Sequence, residues 1–178
     1  MRYAGPLTPV QASAFWRLGR LNGDDLGRLA MQWLEEDQPS ESVAVLAGES
    51  DITLAEHGAL FERCLRELNV SPPSERLAAW LYIQTLLQAA RDGADPLDVV
   101  DDALFVDHKG IALFEPRNLA GDGKAYAAEE LGMENLLGLY WTLDDPNLTP
   151  KEVKCAMDEM KDECARVLAV FYTEPPND

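Results

Sequence analysis

The sequence predicts an all-α protein, organised as a single-domain orthogonal bundle of about seven or eight helices over residues 1–178. Apolar residues recur every three or four positions along most of the 178-residue chain, as on the buried face of a helix. Most of these stretches follow a helix-start signal, in which Thr, Ser or Asp precedes Pro or an acidic residue. The helices have uneven lengths and no fixed repeat, which favours a bundle over a solenoid.

Five helices are predicted in the first half of the chain, each with its own start signal. Their first residues or caps are Thr8-Pro9, Asp24, Ser40 before a short helix over 42–47, Thr53 with Glu56, and Ser74 after Pro72-Pro73. In the second helix, Leu26, Leu29 and Trp33 fall on one face. The fifth helix is apolar nearly all round up to Gly93, so we expect it to be central and buried.

The middle of the chain combines a sixth helix with an irregular segment. Asp95-Pro96 starts this helix, which continues through Leu104. From 108 to about 128 Gly and Pro interrupt the pattern, so we expect one long irregular loop there. Within this loop, residues 111–114 form either a short strand or a buried loop.

Two helices are predicted in the last third of the chain. One covers about 129–143 without interruption. The other starts at the capping box of Thr149 and Glu152, and its apolar stripe continues through Met160 to Phe171. Residues 174–178 are expected to be a frayed tail.

Negative charge is concentrated in the second half of the chain. Residues 1–91 hold 8 basic and 12 acidic side chains, a net charge of −4, whereas residues 92–178 hold 7 basic and 20 acidic ones, a net charge of −13. The overall charge of −17 argues against binding to nucleic acid or to an anionic membrane, because both carry negative charge. It favours a cationic partner, such as a basic protein.

Nine acidic residues of the second half are candidate partner-binding residues. They are Asp95, Asp98, Asp101, Asp102, Asp107, Asp158, Glu159, Asp162 and Glu163. Asp95 is also an N-cap and Asp98 lies in a first turn, where the helix dipole favours negative charge. A solvated helix face is therefore the alternative explanation for this set.

The same carboxylates suggest an alternative metal site. Residues three or four apart share a helix face, so two facing helices with paired carboxylates can hold Mg²⁺ or Mn²⁺. The residues of this alternative are Asp98, Asp101, Asp102, Asp158, Glu159 and Asp162. It predicts a metal-dependent hydrolase of a phosphorylated small molecule.

We find no other catalytic pattern in the sequence. His57 and His108 have no His or Cys at metal-binding spacing. The segment 121–125 resembles a phosphate-binding loop only superficially, because Asn118 replaces its first Gly and Ala125 its Ser or Thr. We expect the four tryptophans to pack in the core, and they are Trp16, Trp33, Trp80 and Trp141.

The three cysteines are predicted to be buried free thiols in a reducing compartment. Cys155 and Cys164 are nine residues apart on one predicted helix, so they face different sides and cannot pair. Cys64 is the third. The chain start lacks the apolar region of a secretory signal, and no apolar run approaches the length of a membrane span. We therefore expect a cytoplasmic protein that does not bind membranes.

Several short elements between residues 18 and 108 occur in a recognisable order. They are Leu46-Ala47-Gly48, Leu60-Phe61, Glu67-Leu68-Asn69-Val70 with Pro72, and Asp92-Gly93. In this order they resemble a group of small, functionally uncharacterised all-helical bacterial proteins. Asn69 stands where that group usually has glycine, and Asn also tolerates the left-handed conformation at a helix end. The resemblance implies an all-helical bacterial protein and no particular activity.

These observations predict a non-enzymatic protein that binds a basic partner through its acidic second half. An immunity protein or inhibitor that covers a basic toxin surface is the sharpest version of this hypothesis. It needs no cofactor, whereas the alternative hydrolase needs Mg²⁺ or Mn²⁺. The acidity can also serve solubility alone. The sequence gives neither the identity of a partner nor the oligomeric state.

Overall fold

The computed structural model describes residues 5–49, 53–113 and 126–172. In these ranges the chain forms nine α-helices and one short 3₁₀ helix, and it contains no β-strand. The prediction of an all-α protein is therefore confirmed. The expected frayed tail at 174–178 and the segment 121–125 lie outside the described residues.

The described chain divides into two compact units, with the boundary between Ala78 and Ala79. The first unit contains α1 (Pro9–Arg17), α2 (Gly23–Glu35), α3 (Glu41–Gly48), α4 (Leu54–Glu67) and the first turn of α5 (Glu75–Arg91). The second unit contains the rest of α5, α6 (Pro96–Lys109), α7 (Ala127–Glu130), α8 (Glu134–Thr142), α9 (Pro150–Leu168) and the 3₁₀ helix Ala169–Tyr172. Because α5 contains the boundary, a single domain over 1–178 stays a prediction.

Side chains close in sequence fix most helix starts. Capping boxes pair Thr8 with Gln11, Asn22 with Asp25, Thr53 with Glu56 and Thr149 with Glu152. In the first box the Thr8 hydroxyl accepts from the Gln11 backbone N–H, and the Gln11 side chain accepts from the Thr8 N–H at 2.9 Å. Each box satisfies backbone donors that a helix start leaves unpaired. The predicted second start is off by one residue, since α2 begins at Gly23.

An aromatic core holds the first unit together. Trp33 of α2 is fully buried and stacks on Phe61 of α4, with ring centroids 5.8 Å apart. The Trp33 indole N–H donates to the Leu7 carbonyl at 2.8 Å, so its polar atom is also satisfied. Trp16 also contacts this core, and its ring lies edge-on to Phe61 with centroids 5.7 Å apart.

In the second unit, α5 supplies the largest buried side chains. Trp80, Tyr82, Ile83 and Leu86 are almost fully buried, as its apolar sequence predicts. Within this unit α8 packs against α9, and α6 packs against both. None of the helices in the described ranges is both long and apolar enough to cross a membrane.

The single helix predicted over 129–143 is wrong. The chain forms α7 and α8 instead, and Gly132 between them adopts a φ of +64°. This left-handed conformation is open to glycine and costly for other residues, so the helix breaks there even though the apolar pattern continues.

The structure also corrects the expected burial of two tryptophans. Trp141 is 60% exposed, and Trp16 is half-buried, whereas Trp33 and Trp80 are in the core as predicted. Trp141 lies on α8 beyond the Gly132 break, so the side that α8 buries cannot be extrapolated from residues before the break.

The irregular segment is shorter than predicted at both ends. Helix α6 continues through His108 to Lys109, and α7 already begins at Ala127. Ile111 and Leu113 are buried outside any strand, so the described part of 111–114 is a buried loop. The Leu113 N–H donates to the Glu130 carboxylate at 2.7 Å. Residues 114–125 lie outside the described ranges.

Candidate functional site

A groove between α8 and α9 brings four carboxylates together in the second unit. We call this feature, with a volume of about 530 Å³, the acidic groove. It is lined by Glu134, Asn135, Gly138, Leu139 and Thr142 of α8 and by Glu159, Asp162 and Glu163 of α9. The three α9 carboxylates are among the predicted site residues. Sequence reasoning missed Glu134. Its only signal is its position in the first turn of α8, and the sequence predicted α7 and α8 as one continuous helix.

The register of α9 sets which carboxylates face the groove. Met160 and Cys164 are fully buried and fix the inward face of the helix. Glu159, one residue before Met160, is turned about 100° from it around the helix axis. Glu159 therefore lies at the edge of the buried face of α9, and its side chain is exposed. Asp158 is also exposed but does not line the groove.

Arg166 partly neutralises the acidic groove and ties it to the α7–α8 turn. Its Nε donates to Glu163 at 2.6 Å, and its Nη2 donates to the Gly132 carbonyl at 2.5 Å. Arg166 and Glu163 are i,i+3 neighbours, partly open to solvent. The turn at Gly132 is thus held against α9 at the place where α8, and the groove, begins.

Two carboxylates of α9 act on the thiol of Cys155, which lies on the same helix. Cys155 is exposed, contrary to its predicted burial, and its Sγ donates to Glu159 at 3.6 Å. This hydrogen bond raises the pKa of Cys155, and the charges of Glu159 and Asp158 raise it further. Carboxylates that disfavour the thiolate in this way also favour an approaching cation.

Trp141 adds an exposed aromatic surface to α8. It is 60% exposed, and its ring lies edge-on to Tyr140 with centroids 5.1 Å apart. Its neighbour Thr142 lines the acidic groove. Tryptophans are frequent anchors of protein interfaces. Because the sequence predicted that Trp141 is buried, this residue was not among the predicted site residues.

Three of the predicted carboxylates, the N-cap of α6 and two residues within it, accept hydrogen bonds inside the second unit. Asp95 caps its own helix and accepts from the Leu97 N–H at 2.9 Å. Asp101 accepts from the Tyr140 hydroxyl at 2.9 Å, and Asp107 accepts from the Ala128 N–H at 3.1 Å. These contacts give the α6 carboxylates structural roles that the sequence showed only for Asp95.

The other two α6 carboxylates are removed from solvent to different degrees. Asp98 is half-buried in the first turn of α6. Asp102 is only 4% exposed, so it does not contribute to an exposed acidic surface. Its backbone carbonyl accepts from the buried Tyr82 hydroxyl at 3.2 Å. The prediction of Asp102 as a partner contact is therefore corrected to a buried position.

Burial raises the pKa of Asp107 above its ordinary value, although the Ala128 and Ala127 N–H groups act in the opposite direction. Asp107 thus anchors the start of α7 to α6 while partly withdrawn from water. The carboxylate joins residues 21 apart in sequence. We assign it a structural role at the end of the irregular segment.

The nine predicted carboxylates do not line one groove. Asp101 binds Tyr140, whereas the acidic groove uses Thr142 of the same helix. Residues two apart on a helix are separated by about 160° around its axis, so Asp101 and the groove lie on different sides of α8. The candidate site therefore consists of Glu134, Glu159, Asp162 and Glu163, and the exposed Trp141 lies on the same helix outside the groove lining.

The carboxylates predicted for a metal site are not gathered around one point. In the ranges that the structure describes, no group of three or more His, Cys, Asp or Glu side chains is placed to hold a metal ion. The pairs on α6 (Asp98, Asp101 and Asp102) and on α9 (Asp158, Glu159 and Asp162) thus gain no support as facing ligands. His57 is buried, with Nδ1 3.2 Å from the Thr53 carbonyl.

Comparison with protein-family models, with curated proteins and with solved structures finds no match to this chain. Function has therefore to be inferred from the side chains described above.

Proposed function

We propose that this is a cytoplasmic, non-enzymatic interaction protein of immunity or inhibitor type, whose acidic groove binds a basic segment of a partner protein. The observation that supports it most is the convergence of Glu134, Glu159 and Asp162, with Glu163, on one open groove. The partner class follows from charge, because lysine and arginine side chains complement such a surface.

The groove also favours a partner segment with apolar residues. Leu139 lines it, and Trp141 is exposed on the same helix. Charge complementarity raises the association rate, while a desolvated aromatic anchor slows dissociation. We expect a helical segment with lysines or arginines on one side and an apolar stripe on the other.

The net charge of the chain supports fast association with such a partner. Residues 92–178 carry a net charge of −13, so the potential extends beyond the groove itself. The three free cysteines support the cytoplasmic assignment, because exposed thiols such as Cys155 persist in reducing compartments.

A Lys-rich helical peptide with a leucine stripe tests the proposal, and the same peptide with Glu in place of Lys is its control. Binding is followed by the Trp141 indole N–H resonance at low salt and at about 1 M salt, where charges are screened beyond about 3 Å. We expect saturable binding of the Lys peptide alone, weakened at least about tenfold by high salt.

Two double variants with the same charge change locate the binding. Glu159→Gln with Asp162→Asn changes the groove, and Glu35→Gln with Asp37→Asn changes exposed residues of the first unit. We expect only the groove variant to weaken the peptide, by about tenfold. Equal weakening by both variants, or binding that is indifferent to salt, would refute a specific acidic groove.

A further inference from the structure

A second concavity lies in the first unit, between α1, α4 and the segment that follows α4. We call it the Trp16 pocket, and its volume is about 550 Å³, within the usual range of small-molecule sites. Trp16 and Leu65 line it with apolar surface, and Arg17 and Arg66 contribute guanidinium groups. Ser13, only 2% exposed, places a polar residue in the pocket wall. The pocket therefore combines an apolar wall with several hydrogen-bond donors.

The aromatic wall of this pocket is held in place before any ligand arrives. The Trp16 ring lies over Gly58, edge-on to Phe61, and its N–H donates to Glu62 at 3.5 Å. Because Gly58 has no side chain, the ring packs closer to α4 than any other residue there would allow. A wall held by these three contacts with α4 loses little conformational entropy when a ligand stacks on it.

The two arginines of the pocket are available for a ligand. Arg17 lies in the last turn of α1 and Arg66 in the last turn of α4, and both are exposed. Within the described part of the chain, neither forms an ion pair or a side-chain hydrogen bond. In a chain with 32 acidic residues and only 15 basic ones, two such guanidinium groups at one pocket form a local anion-attracting site.

We propose that the Trp16 pocket binds a small organic anion with a flat apolar body. Arg17 and Arg66 hold its carboxylate or phosphate group by charge-assisted hydrogen bonds, and the apolar body lies against Trp16 and Leu65. Glu62 also lines the pocket and repels the anionic group, which fixes the orientation of the ligand toward the arginines. This binding activity is separate from the acidic groove, because all its residues belong to the first unit.

The experiment uses the full chain and two probes that share the flat ring, phenylacetate and phenyl phosphate. Phenylacetamide is the neutral control. Binding is followed by the Trp16 indole N–H resonance, assigned with Trp16→Phe. We expect both anions to shift this resonance saturably, and phenylacetamide to bind at least about tenfold more weakly. The ratio between the anions shows which head group the pocket prefers.

Arginine variants then distinguish binding in the Trp16 pocket from a general effect of positive charge. Arg17→Ala and Arg66→Ala are each expected to weaken phenylacetate at least about threefold and together at least about tenfold, with no change in the unfolding transition. Arg63→Ala is the matched control, because Arg63 is exposed on the same helix and does not line the pocket. The proposal is wrong if Arg63→Ala weakens binding as much as Arg66→Ala. It is equally wrong if phenylacetamide matches phenylacetate, or if neither anion shifts the Trp16 resonance.

Discussion

The Trp16 indole lies directly on Gly58, so that a Cβ built on this glycine would be only 2.7 Å from Cζ2 of the ring. That separation is shorter than real carbon contacts, and the obstacle is a ring edge held by its own neighbours. The position of the tryptophan thus depends on a missing side chain.

Gly58→Ala is expected to destabilise the first unit. Displacing the Trp16 ring costs about 1–3 kcal/mol, which outweighs the gain of up to about 1 kcal/mol from alanine in a helix. Chemical denaturation measures the change in the free energy of unfolding. Gly27→Ala in α2 is the control, since its nearest atom is 3.9 Å away, and we expect it to stabilise slightly. If Gly58→Ala raised stability as Gly27→Ala does, the ring would not be held as described.

Ser42 and Glu67 connect the start of α3 to the end of α4. The Ser42 hydroxyl donates to Glu67 at 2.6 Å, and the Ser42 N–H donates to its other oxygen at 3.0 Å. Ser42 is 3% exposed, so Ser42→Ala is expected to cost about 1 kcal/mol of unfolding free energy. Glu41→Gln, an exposed neighbour, should change it little, and an equal loss there would contradict the assignment.

The same contact predicts a pH dependence. Hydrogen bonds from the Ser42 and Ser40 side chains and the Ser42 backbone lower the pKa of Glu67 below its ordinary 4.5. A lowered acid pKa gives stability that is present above pH 4.5 and is lost as the pH falls through the folded pKa. Glu67→Gln should therefore be less stable than the parent protein at pH 7, and this difference should shrink toward pH 3. A difference that stays constant over this range would show that the carboxylate charge is not involved.

The pH dependence of stability expected from Asp107 has the opposite sign to that expected from Glu67. Burial raises its pKa above 3.8, so its stabilising contribution is complete below pH 3.8 and is lost as the pH rises through the folded pKa. Asp107→Asn retains an oxygen that accepts from the Ala128 N–H and removes the charge. We expect this variant to gain stability relative to the parent protein as the pH is raised from 3 to 7, measured by urea unfolding. A stability difference that does not grow over this pH range would contradict the role given to the buried charge.

The three thiols are expected to react at very different rates. Burial raises the pKa of Cys64 and of Cys164 to about 12, so neither forms appreciable thiolate at pH 8. Cys155 is exposed, and Glu159 raises its pKa through a hydrogen bond and its charge. A thiol reagent should label Cys155 alone in the folded protein and all three thiols in denaturant. Glu159→Gln should speed labelling of Cys155, whereas Glu163→Gln, which makes no contact with it in the described structure, should have a smaller effect.

Gly132 is expected to tolerate no side chain without loss. Its φ of +64° costs another residue about 1–2 kcal/mol, so Gly132→Ala should lower the unfolding free energy of the second unit by that amount. Gly138→Ala, within α8 and with no atom within 4 Å of the added carbon, should leave it unchanged or raise it. The reverse order of these two variants would place the helix break elsewhere.

Features that depend on neighbours in sequence could be predicted, and features that depend on packing could not. The cap at Thr149 needs only Glu152, three residues away, so the sequence predicts it directly. Trp141 is different, because its exposure depends on how α8 settles against α6 and α9 after the break at Gly132. Gly132 offered a signal for this break, but the apolar residues on both sides continue a helical period and obscure it.

The candidate site was partly predictable for the same reason. Glu159 and Asp162 follow from the stripe of α9, which puts them beside the buried face. Glu134 lies near them only because α8 contacts α9. Asp101 instead accepts a hydrogen bond from the hydroxyl of Tyr140, 39 residues away. Periodicity along one helix contains no information about which side chain of another helix will meet it.

The four capping boxes have a consequence for how the chain first takes shape. Every hydrogen bond in them joins residues three apart in sequence. Forming these bonds therefore has only a small entropy cost of loop closure. Starting a helix is the unfavourable step of its formation, and a bonded start lowers that barrier locally. After dilution from denaturant, helical signal at Thr8, Asn22, Thr53 and Thr149 should therefore precede the ring contact between Trp33 and Phe61, which must await the meeting of distant segments.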